Sequence, residues 1–541
     1  MNFVNSIDFS DGLTTSLLAL GAKLSDIDTK RLANYRRNWN FYEGYHWEEI
    51  PDTGRNEVTK NYCRAFVNKF VAFELGKGFN IKMKPDIEPK VLPFLNEVWD
   101  NNNKNTLCQL IGQSKSVTGD AWVQVTYIPK FLEDGTPNED FLDPYNEYDK
   151  GKIVISVVPP NLVFPKYDDF NKDLLKEVKV MYPISSDNGI KAQLYCQTWT
   201  RENMVEQYGD NKVTYVNKYG IIPFFQCKNF PQVGRSFGVS DLDDVIPLNM
   251  ELNLKSSDIS EIIEYHSAPT TVVFGAKLGQ LEKGANKMWG GLPTDARVEN
   301  LELRGDLTAS KEYLDSTKRA MHEVGNMPEG ALGAQQAISN TSGVALQITM
   351  LPLIDRTVVK RALTGKFITE INKFIIKIGL TEGLIEVDLD KWRSGDTYAK
   401  DVYYNEAIFE DNLPKDKLVE LQQIQMEMKL GTCDRPEAMK RLGKDNIEQR
   451  IKDITEDRLH FPELYNLEID KNTGELLTGR VDPSILKNNN GLGDKSEGLD
   501  VMKRDIGVNK EGTDSEVNAG YQNSPVKRDK SQTVKGKEKS Q

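Results

Sequence analysis

One long stretch with helical periodicity constrains the fold more than any other part of this chain. Residues 342–380 read SGVALQITMLPLIDRTVVKRALTGKFITEINKFIIKIGL, and apolar side chains recur at helical spacing through most of the stretch. Ser342 can cap its start, because the hydroxyl can accept a hydrogen bond from a free backbone N–H. At the rise of an α-helix the stretch would be about 55 Å long, well beyond an ordinary globular helix. A helix of this length must be covered by other parts of the protein along most of it.

Two residues inside this stretch predict weak points in the helix. Pro352 removes one backbone hydrogen bond and costs about 3 kcal/mol in a helix interior, so we expect a kink there. Gly365 costs about 1 kcal/mol relative to alanine and is a second soft point. We therefore assign the kink to Pro352 and Gly365.

The segments before the long helix have contrasting patterns. Residues 306–326 carry apolar side chains at helical spacing and predict a helix. Residues 328–341, PEGALGAQQAISNT, are small and polar, and no apolar face can be drawn through them. They predict a mobile loop, so the expected order is helix, flexible loop, long kinked helix.

This order resembles the portal proteins, or head-to-tail connectors, of tailed double-stranded DNA phages. The resemblance covers about residues 30–460 and depends more on the order of the elements than on any one residue. The matching text comprises Asn326, Met327 and Pro328, then Ser342, Gly343, Val344, Ala345 and Leu346, then Pro352, Leu353 and Ile354.

The resemblance implies an α+β subunit with a wing, two stem helices, a small β-containing clip, a long kinked helix, a helical crown and a disordered C-terminal tail. The expected boundaries are an N-terminal arm with the first helix (1–58), the first part of the wing (59–239), the first stem helix (240–267), the clip (268–305), the second stem helix (306–327), a tunnel loop (328–341), the kinked helix with returning wing strands (342–412), crown helices (413–465) and a mostly disordered tail (466–541).

The function implied by the resemblance is a ring at one capsid vertex of the virion. Double-stranded DNA would be packaged through the ring by a separate terminase, retained, and later ejected. The implied partners are further copies of the chain, about twelve in the family, non-specifically held DNA, terminase, a head-completion or adaptor protein, and the major capsid and scaffolding proteins. Assembly would take place in the host cytoplasm. The alternative is another oligomeric virion or scaffold protein without DNA passage.

The charge of the chain fits a conduit better than a sequence-specific DNA reader. The formal net charge is −12, whereas a DNA reader would normally carry a basic face. Residues 240–266 predict a helix rich in acidic side chains. We expect Asp258, Glu261 and Glu264 to face the tunnel, and the alternative is an ordinary solvated helix face.

The loop between the two helices is the second predicted contact with DNA. Its uncharged polar side chains can touch phosphates weakly and without regard to sequence. In portals this connection is the narrowest ring of the tunnel, whereas composition alone fits a solvent loop. The candidate tunnel-loop residues are Gly333, Gln335, Gln336, Ser339, Asn340 and Thr341.

No pattern in the sequence points to an enzyme, a cofactor or a metal. The nearest text to a nucleotide-binding loop, around Gly365 and Lys366, has no hydroxyl after the lysine and lies inside the predicted helix. The possible nuclease motif at residues 88–90 contains Pro89, which would break the strand that must carry it. No run of eighteen apolar residues predicts a membrane span. The four histidines are far apart and show no metal-ligand spacing: His46, His266, His322 and His460.

The remaining expectations concern four separate segments. Residues 1–25 predict a weakly ordered arm. Residues 93–117 predict one helix with Pro93 in its first turn, where no backbone hydrogen bond is lost. Residues 402–409 predict a strand. Residues 485–541 lack Phe and Trp and predict disorder, because they cannot bury enough apolar surface to offset chain entropy.

Overall fold

The chain divides into two compact units, residues 1–416 and residues 417–541. The computed structural model describes residues 12–48, 56–132, 134–139, 141–144, 147–171, 174–185, 192–209, 211–267, 270–275, 294–301, 307–333, 343–385, 397–410, 417–444 and 446–460.

The described part of the first unit mixes helices with strands. The helices are α1 (Gly12–Ala19), α2 (Asp26–Glu43), α3 (Tyr62–Leu75), α4 (Glu88–Asn101), α5 (Lys104–Thr118), α6 (Val245–Ser267), α7 (Thr308–Val324), α8 (Gly343–Thr381) and α9 (Thr397–Tyr403), with short 3-10 turns at Pro160–Leu162 and Glu329–Leu332. The α+β fold class is confirmed.

The strands of the described residues form four antiparallel sheets. A five-stranded sheet has the order β4-β5-β6-β7-β8, a three-stranded sheet has the order β3-β2-β9, and β1-β12 and β10-β11 form two-stranded sheets. The strands are β1 (Asn80–Lys82), β2 (Asp120–Pro129), β3 (Gly151–Val158), β4 (Val163–Tyr167), β5 (Leu175–Ser185), β6 (Ala192–Trp199), β7 (Asn203–Tyr208), β8 (Asn211–Val216), β9 (Phe224–Lys228), β10 (Thr270–Phe274), β11 (Arg297–Leu301) and β12 (Glu406–Ile408).

The helix α8 is the longest described element and confirms the main sequence prediction. It spans 39 residues and continues through Pro352 and Gly365. Ser342, the predicted cap, lies outside the described residues. The C-terminal half of α8 is buried in the largest core of the unit, together with α4, α5 and the three-stranded sheet. The predicted kink at Pro352 and Gly365 stays a prediction.

Two further cores complete the described part of the first unit. One lies between α3, the start of α6, the end of α7 and the turn that follows α7, with Phe66 and Met321 fully buried. The other joins the N-terminal helices to the five-stranded sheet.

The N-terminal segment is more ordered than predicted, because residues 12–19 form helix α1. Leu13 and Leu17 face the core beside the five-stranded sheet, and Leu17 is fully buried. The prediction of a weakly ordered arm is therefore wrong for these residues. Residues 1–11 lie outside the described part. Two leucines one turn apart are too short a pattern to identify a helix from sequence.

The predicted single helix over residues 93–117 is two helices, α4 and α5. Asn103 separates them in the left-handed region with φ 55°, which asparagine tolerates better than most residues. The proline in the first turn of α4 is Pro89, and Pro93 lies in the helix interior. The assignment of Pro93 to a first turn is therefore wrong.

The predicted strand over residues 402–409 is wrong in its first half. Residues up to Tyr403 belong to helix α9, and the strand begins at Glu406. This short strand pairs with β1, where Ile81 lies opposite Ala407.

Strand β7 was not predicted from the sequence. It lies between β6 and β8 in the five-stranded sheet.

The small β region between α6 and α7 is present as two paired strands. Thr270 of β10 pairs with Leu301 of β11, and Phe274 pairs with Arg297. The remainder of this predicted clip, including residues 287–291, lies outside the described residues.

The described part of the second unit consists of α10 (Lys417–Leu430), α11 (Arg435–Arg441) and α12 (Ile447–His460). Its small core contains Ile424, Cys433 and Ala438. Helices are therefore present where the sequence predicted them, and their assignment to a crown stays a prediction. The predicted disordered tail, residues 466–541, lies outside the described residues.

Candidate functional site

The predicted tunnel loop begins with an ordered turn. The ring nitrogen Nδ1 of His322 donates to the Met327 carbonyl at 2.7 Å, and the backbone N–H of Met327 donates to the His322 carbonyl at 3.0 Å. A 3-10 turn, Glu329–Leu332, then packs Ala331 into the core. The loop was therefore predicted to start too early.

Gly333 ends the ordered turn and is the last described residue before α8. Its φ of +89° lies in the left-handed region, which glycine adopts without steric cost. The other loop candidates lie outside the described residues: Gln335, Gln336, Ser339, Asn340 and Thr341.

The three acidic residues proposed to face the tunnel lie on the C-terminal half of α6. Asp258 forms an ion pair of 3.0 Å with Lys255. The carboxylate of Glu264 accepts a hydrogen bond of 2.9 Å from the Asn56 side chain. Glu261 is partly exposed. Their orientation toward DNA stays a prediction.

A polar face of α6 holds the extended segment before α3, which the sequence analysis missed. The amide oxygen of Asn253 accepts from the Lys60 backbone N–H at 2.9 Å, and that of Asn249 accepts from the Tyr62 N–H at 3.0 Å. One turn further, Ser257 accepts from the Val58 N–H at 3.0 Å. The signal was present in sequence, because these three residues repeat every four positions and so share one helix face.

A buried charge cluster fixes α8 to the rest of the unit. We define the cluster as Glu74, Lys115, Asp241, Arg356 and Lys360. Four of its side chains are less than 2% exposed, and Arg356 is 18% exposed. The cluster joins α3, α5, the residues before α6, and α8.

The contacts within the cluster are direct. Asp241 accepts hydrogen bonds from Lys360 Nζ at 2.5 Å and from Arg356 Nη2 at 2.7 Å. Lys115 pairs with Glu74 and also donates to the Thr364 hydroxyl at 2.6 Å. Arg356, Lys360 and Thr364 lie four residues apart along α8, so they occupy one face of the helix.

The pKa values of the cluster residues depend on the ion pairs that they form with one another. Burial alone would raise the pKa of Asp241, but Lys360 and Arg356 outweigh burial and hold that pKa well below its usual range. Burial lowers the pKa of Lys360, against the attraction of Asp241 and Glu74. Burial also opposes the charge on Lys115, yet Glu74 raises its pKa. The cluster is a structural clamp on α8, since its charges are paired with one another.

A second contact from α8 reinforces this clamp at the end of α3. The guanidinium of Arg361 donates to the carbonyl oxygens of Phe73 at 3.0 Å and Glu74 at 3.1 Å. The last carbonyls of a helix lack intrahelical partners and carry partial negative charge, so a cation is favourable there.

The sequence of this chain matches a known family. A sequence model described as phage portal protein, SPP1 Gp6-like, matches residues 22–458. The chain belongs to this portal family. It is thus a structural head-to-tail connector of the virion, and the family is not enzymatic. The resemblance inferred from the order of helix, loop and long helix is confirmed.

Solved structures similar to this portal subunit come from gene transfer agent particles. One is the neck of a native particle computed with C12 symmetry, at 12% identity and a TM-score of 0.39, covering 80% of this chain and 99% of that chain. Another is the neck of an empty particle computed with C6 symmetry, at 12% identity and a TM-score of 0.40, covering 73% and 93%. No curated protein sequence matches this chain.

The described part of the portal subunit offers no metal site and no membrane helix. Among its described residues, no group of three or more His, Cys, Asp or Glu side chains could hold a metal ion. No described helix combines the length and apolar character needed to cross a membrane.

Proposed function

We propose that this portal subunit forms a ring at one capsid vertex through which double-stranded DNA is packaged, retained and later ejected. A separate terminase would drive packaging, and a head-completion or adaptor protein would dock later. The ring would assemble in the host cytoplasm together with capsid and scaffolding proteins. The family match across residues 22–458 is the observation that carries this proposal.

The physical basis of this proposal is a tunnel wall that does not bind DNA. Double-stranded DNA carries one negative charge per roughly 1.7 Å of its axis, so a basic tunnel would bind it by counterion release and stall it. An acidic wall repels the DNA, and at physiological salt this repulsion extends only about 8 Å. The DNA would therefore stay centred and mobile.

The loop that begins at Gly333 would provide the brake on DNA. The ordered turn Glu329–Leu332 precedes this loop, and the long helix α8 follows it. Uncharged side chains in the loop would contact phosphates weakly, and about a dozen subunits could release them in turn. Such contacts would retain packaged DNA without a strong site.

Imaging of the purified full chain by negative-stain electron microscopy tests the proposal. A ring with an axial hole is the expected result, with about twelve subunits as in the family. A closed or irregular assembly without a hole would contradict DNA passage and would favour the alternative of a virion protein that forms no conduit.

The acidic face of α6 gives a functional prediction. Replacing Asp258, Glu261 and Glu264 together by lysine should leave ring yield unchanged but slow or stall DNA packaging, because DNA would adhere to the wall. Packaging is measured as nuclease-protected DNA in an assay with the terminase. The control replaces three exposed acids on other elements by lysine: Asp86, Glu97 and Asp169. Equal packaging by both triple variants would remove the α6 face from the mechanism.

A further inference from the structure

The polarity of α8 is reversed over residues 348–364. Apart from Leu353, the buried side chains of this stretch are polar or charged, and Lys360 and Thr364 are each 1% exposed. The large aliphatic side chains point outward: Ile348 is 60% exposed, Leu351 47%, Val358 60% and Val359 49%. A helix on a soluble surface normally has the opposite arrangement.

These four aliphatic residues share one face of the helix, with Asp355 between Leu351 and Val358. At 3.6 residues per turn they fall within an arc of about 100°, directly opposite the arc of Leu353, Lys360 and Thr364. Scattered exposed apolar residues need no explanation, but a contiguous patch rimmed by polar residues marks an interaction surface. We call this surface the aliphatic stripe.

A receiving surface lies beside the stripe, where α8 meets the end of α7. A pocket of about 390 Å³ is lined by Met327, Pro328, Thr349 and Pro352, with Arg319 among its polar residues. The stretch 348–352 therefore contributes to both surfaces: Ile348 and Leu351 project from it, and Thr349 and Pro352 line the pocket. We call the cavity between α8 and the end of α7 the Pro352 pocket.

The two surfaces carry opposite isolated charges. Asp355 is exposed in the middle of the aliphatic stripe, and Arg319 is exposed at the Pro352 pocket. Neither side chain forms a hydrogen bond or ion pair with another residue in the described part of the chain. The pocket lining also includes the acids Glu323 and Glu329, and Glu329 forms an ion pair of 3.8 Å with Lys318. Arg319 is the base in this lining that Asp355 can meet.

We infer that the aliphatic stripe of one subunit packs into the Pro352 pocket of a second copy of this chain, with Asp355 placed against Arg319. This inference rests on the proposed ring, because a ring requires a contact between two different surfaces of the same subunit. Two matched surfaces that share one helix supply such a contact. The same contact would cover aliphatic side chains of α8 that otherwise face outward.

Charge exchange between the two positions tests this pairing. Asp355→Arg alone and Arg319→Asp alone should each lower ring assembly at least about tenfold, because each places like charges against each other in a partly desolvated contact. The double variant Asp355→Arg/Arg319→Asp should recover assembly. Ring formation is measured by analytical ultracentrifugation of the full chain over a range of concentrations.

Mixing the two single variants separates a contact between subunits from one within a subunit. In an alternating ring, the arginine introduced at position 355 of one variant meets the aspartate introduced at position 319 of the other. At the next contact, the unchanged Asp355 meets the unchanged Arg319. Every contact is then between opposite charges, so an equimolar mixture should assemble although neither variant does. A mixture that fails to assemble, with the double variant restored, would place the pair within one subunit and overturn the inference.

A third variant tests the aliphatic part without the charge pair. Val358→Lys should lower assembly at least about tenfold, as expected for a buried interface position. Val233→Lys is the control, since Val233 is fully exposed on a loop and belongs to neither surface. Equal assembly of both variants would contradict the role of the stripe. If the unmodified protein forms rings and Val358→Lys assembles as well as Val233→Lys, only this interface is rejected. The proposed function would then stand.

Discussion

Replacing Asp241 by alanine is expected to lower the free energy of unfolding by about 3–5 kcal/mol. Asp241 is fully buried and accepts hydrogen bonds from both Lys360 and Arg356. Its removal leaves two cations in the interior without their main partner, and burial disfavours the charged form of an amine. We expect the loss to be concentrated on α8, because α8 supplies both cations.

The measurement combines urea denaturation with hydrogen exchange of the α8 amides. Glu370→Gln serves as the control, because it removes an exposed ion pair of 2.7 Å with Lys373 on the same helix. An exposed pair of this kind contributes at most about 1 kcal/mol. If Asp241→Ala changed stability no more than Glu370→Gln, the buried charge cluster would not be a clamp on α8.

The second large effect is expected from Pro352→Ala. In an isolated helix, alanine would restore one backbone hydrogen bond and stabilise by up to about 3 kcal/mol. On the C-terminal side of Pro352 the cluster fixes α8, and Leu353 is fully buried, whereas Ile348 and Leu351 on the N-terminal side are exposed. A straightened helix would therefore move its N-terminal part, so we expect a more stable subunit that assembles rings poorly.

A matched proline elsewhere in the chain controls for this effect. Pro93 also lies inside a helix, α4, which belongs to the core around the C-terminal half of α8. Pro93→Ala should leave ring yield normal. Thermal unfolding and sedimentation of both variants are the measurements. A Pro352→Ala ring with normal yield and a raised melting temperature would show that the kink has no structural role.

Sequence periodicity predicted most elements of this portal because their apolar side chains repeat at one interval over many residues. The same reasoning could not show which face of α8 is inside. Ile348, Leu351 and Val358 have the spacing of a core face, yet they are exposed, since Arg356 and Lys360 find buried partners on other elements. Apolar character alone therefore predicted the helix and not its orientation.

The contacts that position the site depend on residues far apart in the chain. The amide oxygens of Asn249 and Asn253 accept hydrogen bonds from backbone N–H groups that lie 186 to 193 positions earlier in the chain. Strand β1 has three residues and acquires its partner only at β12. The β1–β12 pairing leaves no local pattern, because each strand is too short to be recognised without the other. The repeat of Asn249 and Asn253 shows that they share one helix face, but not which segment that face holds.

The pairing of β1 with β12 has a consequence for synthesis of the portal subunit. Lys84, just after β1, bonds to Asp401 at 2.5 Å across 317 positions. At 5–20 residues per second, the ribosome needs on the order of 15–60 s to make that interval. Throughout this time Ile81 lacks its partner strand. Only a chain translated past residue 408 can close this sheet, so a chain that ends earlier leaves the β1 edge unpaired.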